Sequence, residues 1–272
     1  MPRKLILLTG AAGDAATMLR PLMRADYRVR LSDVRPVEAE AGEKSVKADL
    51  TDLDAMLRLV DGVDGIVHLG GFSVEGSWEA IHDANIVGLY NTYEAARRKG
   101  VKRIVFASSN HAVGFYRRDE TIPVGVTVRP DSRYGVSKAF GEAMGSLYAY
   151  KYGLEIMSIR IGNVAPKPLD VRRLSIWVSP RDLWQLMRIG LERPGIRHEI
   201  VYGMSDNKRA WWDNANARRL GYEPRDRSED YAEEVLAAHP ATSGDTLVDE
   251  HQGGTFVRAE RGGDPSRPNH GM

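Results

Sequence analysis

Short unbroken apolar runs alternate along this chain with longer stretches in which apolar residues return every three or four positions. The run Leu5 to Leu8 within KLILLT is closed by a glycine turn and reads as a buried strand. A helical period follows from about Asp14 to Arg24, and YRVRLSD (Tyr27 to Asp33) reads as a second strand. A third strand is expected near Lys44 to Lys47, with a helix through Met56 to Val60. GIVHLGG (Gly65 to Gly71) is strand-like and is followed by a long helix from Trp78 to Arg98. RIVFASS (Arg103 to Ser109) and LEIMSIRIG (Leu154 to Gly162) are further strands, separated by a helix through Tyr134 to Tyr150. Beyond Asn163 the pattern loosens into a proline- and arginine-rich stretch, with helices expected over Pro180 to Glu192 and Asn214 to Leu220.

Strands alternating with helices at this spacing imply right-handed βαβ crossovers and a parallel sheet. The expected fold is therefore α/β, a Rossmann-type doubly wound sheet with a small C-terminal substrate-binding lobe. Residues 1–162 would form the nucleotide-binding domain and 163–257 the lobe, while the polar Gly/Pro-rich stretch 258–272 reads as a mobile tail. Sites in such sheets form beyond the carboxyl ends of the strands. Gly10, Asp33, Gly70, Ser109 and Gly162 all fall at expected strand ends.

Composition narrows the chemistry. The 38 Lys and Arg nearly cancel the 37 Asp and Glu, so nothing favours nucleic acid or an anionic membrane surface as partner. The absence of cysteine excludes disulfides, thiolate metal sites and cysteine nucleophiles, and it accords with a cytoplasmic enzyme. Leu5 to Leu8 is far too short to span a bilayer. His68 and His82 have no metal-like spacing with any carboxylate, so no metal is expected.

The turn after the first strand reads Gly10-Ala11-Ala12-Gly13-Asp14-Ala15-Ala16. Glycines there let backbone N–H groups approach a pyrophosphate at a helix N-terminus, and alanine is tolerated at the third, packing position. Asp33 follows Gly13 by twenty residues at the end of the second strand. A carboxylate so placed binds ribose hydroxyls and repels a 2′-phosphate, which favours NAD over NADP, although Arg35 lies nearby. Asp49 and Leu50 would border the adenine. Further along, Tyr134 and Lys138 are four apart on a helix and share a face. Lys138 would lower the phenol pKa, and Ser109 would hold a substrate oxygen against it. Trp211-Trp212 and the stripe Leu89, Tyr93, Ala96 read most simply as packing, and Asn85 reads either as a core amide or as a cofactor neighbour.

With TGAAG, RIVFASSNH, YGVSK and RIG assembled, the chain resembles the extended short-chain dehydrogenase/reductase family. SSNH, the Ser73 loop and QGGTFV make it most similar to the uronate dehydrogenases within that family. The resemblance implies NAD-dependent oxidation of D-galacturonate or D-glucuronate at C1 to an aldarolactone, with a homo-oligomeric enzyme and a small uronic acid as its partner. It implies Tyr134 as base, Lys138 as its tuning partner and ribose ligand, and Ser109 on the reacting hydroxyl. Ser108, Leu69, Gly70, Gly71 and Ile161 would complete the cofactor-facing set. Ser73, Asn110, His111 and Asn163 would bind the sugar, and Arg172 its carboxylate, with adjacent Arg173 a competing candidate. A nucleotide-sugar epimerase or dehydratase is the alternative, and a non-catalytic NAD-binding regulator a more distant one. Asn110-His111 stands where a dehydratase would place its Asp-Glu pair.

Overall fold

The computed structural model describes residues 3–240 and 242–259. Nine strands are present among them: β1 (Leu5–Thr9), β2 (Arg28–Asp33), β3 (Glu43–Lys47), β4 (Gly65–His68), β5 (Arg103–Ser109), β6 (Glu155–Ile161), β7 (Asn163–Val164), β8 (Trp177–Val178) and β9 (His198–Gly203). Seven of them form one sheet in the order β3-β2-β1-β4-β5-β6-β9, with every pairing parallel. The chain winds outward from β1 to β3, returns to β4 beside β1, and then winds the other way. The crevice between β1 and β4 is thus the switch point where such sheets bind ligands.

Ten α-helices accompany the strands: α1 (Asp14–Asp26), α2 (Leu53–Leu59), α3 (Trp78–Ile81), α4 (Gly88–Lys99), α5 (Arg133–Tyr152), α6 (Arg173–Ile176), α7 (Pro180–Glu192), α8 (Ala215–Arg219), α9 (Ala232–Ala238) and α10 (Thr246–Glu250). Alternation along the strands divides the core. Ile6, Leu8, Val67 and Val105 meet Leu19, Met23, Met187 and Leu191 of α1 and α7, whereas Leu7, Ile66, Ile104 and Phe106 meet Met56, Tyr93 and Tyr148 of α2, α4 and α5. Leu89, Tyr93 and Ala96 are buried, as packing requires. The expected long helix is three pieces, α3 and α4 joined by a π-helical turn over His82–Val87. Asn85, within that turn, accepts from the Phe72 backbone N–H and donates to the Phe72 carbonyl and to Ser137 Oγ.

A boundary at residue 162 does not divide the sheet. β9 returns as its seventh strand beyond β6, and α7 covers one face of it. That strand opens with His198 and Glu199, and such a polar start hides an edge strand from a search for apolar runs. Around it the chain builds a second cluster in which Trp212 stacks on Tyr202 at 4.9 Å and the two share a core with Val113, Ile122 and Ile176. The helices α9 and α10 were not expected either. Of the supposed tail, Arg258 closes a final 3₁₀ turn and is ion-paired with Asp245 at 2.5 Å, while residues 260–272 lie outside the described residues. Among the described residues no helix is long and apolar enough to cross a membrane.

His68, at the end of β4, is a satisfied core histidine. Its Nδ1 lies 2.9 Å from Thr9 Oγ1, and its ring stacks on Phe106. Burial first, and then the charge of Lys138, push its pKa down to about 3. An unfolded histidine titrates near about 6.5, so between those values the unfolded chain binds the extra proton. The contribution of His68 to stability is therefore intact above pH ~6.5 and declines as the pH falls, by at most about 1.4 kcal/mol per pH unit. Urea melts at pH 7 and pH 5 should show a smaller acid loss for His68→Asn than for the unmodified protein. An equal loss in both would rule out this histidine as a source of acid sensitivity.

Candidate active site

The glycine turn after β1 and the end of β4 form one side of a cleft of about 540 Å³. Gly10 has φ of +68°, and a Cβ there would lie 2.7 Å from the backbone of Leu69 and Gly70, so only glycine fits. Gly13 precedes α1 without any capping side chain, which leaves the first-turn N–H groups of that helix free for an anion. Asp33 ends β2 and accepts from the backbone N–H groups of Ala12 and Arg35, each at 3.0 Å. The Arg35 guanidinium is 3.6 Å from Asp33 and stands exposed at the rim. Gly10, Gly13, Asp14, Ala15, Asp33, Asp49, Leu50, Leu69, Gly70 and Gly71 all line this cleft, as does Ser73. Its shape and donors fit a dinucleotide: a bare helix N-terminus for the pyrophosphate and a carboxylate at the ribose position.

Ser108, Tyr134, Lys138 and Ile161 are not among the residues lining that cleft. They sit further along the sheet edge, where Ser109 at the end of β5 pairs with Ile161 at the end of β6. Helix α5 delivers Tyr134 in its first turn. Ser132 Oγ caps the helix by accepting from Gly135 N–H, and Glu75 accepts from Tyr134 N–H at 2.9 Å. Gly135 is needed because a Cβ there would stand 2.3 Å from the His111 carbonyl. Lys138 Nζ donates to the Ala107 carbonyl at 2.8 Å and lies 5.3 Å from the centre of the Tyr134 ring.

The electrostatics correct one expectation. Burial raises the Tyr134 phenol to about 12, a hydrogen bond with Ser109 opposes the rise, and the charge of Asp131 adds to it. Lys138 is itself pushed down to about 8 by burial. Helical spacing brings the two side chains together, but desolvation dominates the phenol, and the group that opposes it is Ser109 rather than the Lys138 ammonium. Ser108 also departs from expectation. Its hydroxyl donates to Glu142 at 2.6 Å, and Glu142 is paired through both oxygens with the buried Arg160.

Beside Tyr134 lies a second constellation. Ser109 Oγ accepts from His111 N–H, which turns the chain into a 3₁₀ segment over Asn110–Val113. Asn110 is 1% exposed, yet its Nδ2 has no protein partner. Asn163 Oδ1 is likewise buried and unpartnered. These two groups, one donor and one acceptor, are what a polyol would satisfy. Arg172 and Arg173 differ sharply. Arg173 is ion-paired with Asp170, whereas Arg172 donates through Nε and Nη2 to the Gln252 carbonyl at 3.0 and 2.7 Å. Burial, then the charges of Arg118 and Arg173, lower the Arg172 pKa to about 10. Such an environment favours an added anion.

Several contributors were not singled out from the sequence. Phe256 stacks on His111 with ring centres 3.7 Å apart and lies 6.1 Å from the Tyr134 ring. Gln252, fully buried, accepts from Trp212 Nε1 and donates to the carbonyls of Arg117 and Glu120, which locks the segment that carries Phe256. Asp131 accepts from His111 Nδ1. The segment QGGTFV holds Gln252 and Phe256, but only contacts between distant segments reveal what they and Asp131 do.

Residues 6–178 match the model of the NAD dependent epimerase/dehydratase family. A uronate dehydrogenase of Pseudomonas putida is 48% identical over 95% of this chain and 97% of its own length. One from Agrobacterium fabrum is 42% identical over 93% and 97%. Among solved structures, a glucuronic acid dehydrogenase of Chromohalobacter salexigens superposes with a TM-score of 0.92 at 45% identity, covering 97% of this chain and 98% of that one. A tyrosine-to-alanine mutant of Agrobacterium tumefaciens uronate dehydrogenase, complexed with NAD, gives 0.90 at 41% identity over 93% and 97%. With its parallel sheet, glycine cleft and Tyr134–Lys138 helix, this chain belongs to the NAD-dependent epimerase/dehydratase family and, within it, to the uronate dehydrogenases.

Proposed function

We propose that the chain oxidises a hexuronic acid, D-galacturonate or D-glucuronate, at C1 with NAD as acceptor, giving an aldarolactone that opens in solution to the aldaric acid. The observation that carries this reading is the Arg172 guanidinium, which among the described residues has no carboxylate partner while its neighbour Arg173 has Asp170. A planar two-pronged donor of this kind suits a sugar carboxylate. The glycine turn, Asp33 and the 69–71 wall hold NAD, which supplies the hydride acceptor. Ser109 and Tyr134 hold the C1 hydroxyl, and Tyr134 takes its proton as the C–H bond breaks. Lys138 supports by its charge the phenolate form of Tyr134 that accepts this proton. Ser73, Asn110, His111 and Asn163 hold the remaining hydroxyls, and C-terminal segments outside the sheet, among them the stretch from Gln252 to Phe256, supply the cover over the sugar.

Following NADH absorbance with both uronates, with galactose and glucose, and with UDP-sugars tests the proposal. Turnover on the uronates alone supports it. Equal turnover on galactose and galacturonate, or turnover only on UDP-sugars, refutes it. The enzyme is further proposed to be cytoplasmic and homo-oligomeric; exposed Tyr90, Leu147 and Tyr150 on α4 and α5 offer apolar surface for self-association.

Cofactor choice should follow Asp33. The unmodified enzyme is expected to prefer NAD, and Asp33→Ser should shift the ratio of kcat/KM toward NADP by at least about tenfold, an energy of roughly 1.4 kcal/mol. Serine can keep a hydrogen bond to the Ala12 or Arg35 amide while removing the repulsion, and Arg35 is already at the rim. An unmodified enzyme that prefers NADP would overturn the assignment.

A further inference from the structure

Asp131 is buried beside the sugar-binding constellation, and the chain has made unusual room for it. A Cβ on Gly114 would lie 1.7 Å from Asp131 Oδ2, one on Gly253 would lie 2.0 Å from the same oxygen, and one on Gly135 would lie 3.2 Å from Oδ1. Two other segments, one 17 residues before Asp131 and one 122 after it, therefore carry glycine where they pass this carboxylate, and its own helix start carries a third. Oδ1 accepts from Ser132 Oγ at 2.8 Å, and Oδ2 lies 2.7 Å from His111 Nδ1. No lysine or arginine is paired with it among the ion pairs of the described residues. Its negative charge works against formation of a phenolate at Tyr134, so helping the base is not its role.

We infer that Asp131 is a positioning residue that fixes His111 as the Nδ1–H tautomer and so makes Nε2 an acceptor for a donating hydroxyl of the sugar. The inference rests on the proposed reaction only in having His111 face the substrate. A carboxylate can only accept, so Nδ1 must carry the proton, and neutral imidazole then has a lone pair at Nε2. The ring cannot turn to escape this assignment. Phe256 covers one face at 3.7 Å, and Tyr134 meets it edge-on at 5.8 Å. The site thereby selects a sugar that presents an O–H donor at that position, and it disfavours one that presents an ether oxygen there.

Asp131→Asn isolates the effect. Its amide oxygen can still accept from Ser132, while its NH₂ now donates to Nδ1 and moves the histidine proton to Nε2. The decisive measurement is a proton–nitrogen correlation spectrum of the whole protein labelled with ¹⁵N-histidine, with the His111 signals assigned by their loss in His111→Gln. The expected result is the neutral Nδ1–H form in the unmodified protein and the Nε2–H form in the Asn variant. An Nε2–H or doubly protonated ring in the unmodified protein, or the same tautomer in both, overturns the inference whatever the substrate proves to be. On a uronate that turns over, KM should rise about tenfold to a hundredfold in Asp131→Asn, as for loss of uniform binding, while kcat should not fall, since removing the Asp131 charge eases the phenolate at Tyr134. A fall in kcat with KM unchanged would also overturn it. Should the Asn variant not fold, the spectrum of the unmodified protein alone still decides.

Discussion

Tyr134→Phe is expected to lower kcat by about 10²–10⁴-fold, the contribution typical of a positioned general base, while NAD binding is retained. Phenylalanine keeps the ring that packs beside His111 and Phe256, and the Glu75 bond goes to the backbone N–H rather than to the phenol. Only the proton acceptor is removed. Because burial holds the phenol at about 12, it is protonated near neutrality in the free protein, and turnover should climb with pH below that value. The phenylalanine variant should lose that climb along with the rate. Stopped-flow hydride transfer and NADH fluorescence titration separate the two effects. A variant within tenfold of wild type at saturating uronate would leave Tyr134 without the role of base.

The second large effect concerns the carboxylate. Arg172→Ala should reduce kcat/KM for galacturonate by roughly 10- to 150-fold, the equivalent of one charge-assisted hydrogen bond of about 1.5–3 kcal/mol. The small rate on galactose should change much less, since that substrate never used the guanidinium. This internal comparison matters because Arg172 also holds the Gln252 carbonyl, so its removal disturbs the segment that carries Phe256. Disturbance of that segment alone would depress both sugars equally. Arg173→Ala is the control, since that guanidinium is committed to Asp170. A larger defect in the Arg173 variant would move the carboxylate site by one residue.

Five strands of the sheet were legible because each carries apolar residues and is closed by glycine, serine or aspartate, while the third, EKSVK over Glu43–Lys47, is polar and was placed by the alternation of elements around it. The cofactor cleft came with them, since its residues follow strand ends. The seventh strand was not legible, because a polar opening conceals it. For the same reason, the boundary placed at residue 162 failed to foresee the chain's return to the sheet. The spacing of Tyr134 and Lys138 indicated that they meet, but spacing carries no information about desolvation, which decides the sign of the phenol shift. The family resemblance implied Ser108 as a cofactor neighbour, whereas its hydroxyl points back to Glu142. Asp131, Gln252 and Phe256 act through partners more than a hundred residues away or across a turn, and periodicity does not reach that far.

The segment from Asp245 to Arg258 has a temporal consequence. Its anchors, Arg118 to the Val248 carbonyl and Gln252 to the Arg117 carbonyl, join residues 130 and 135 positions apart. The cofactor cleft, by contrast, is lined by residues 10 to 84 alone. Short-range parts of a fold tend to form before contacts that must close long loops. A folding molecule of this enzyme would therefore pass through a stage at which it can grip its nucleotide but has no finished place for a sugar. Recognition of the coenzyme and competence for turnover would be acquired as separate events, in that order.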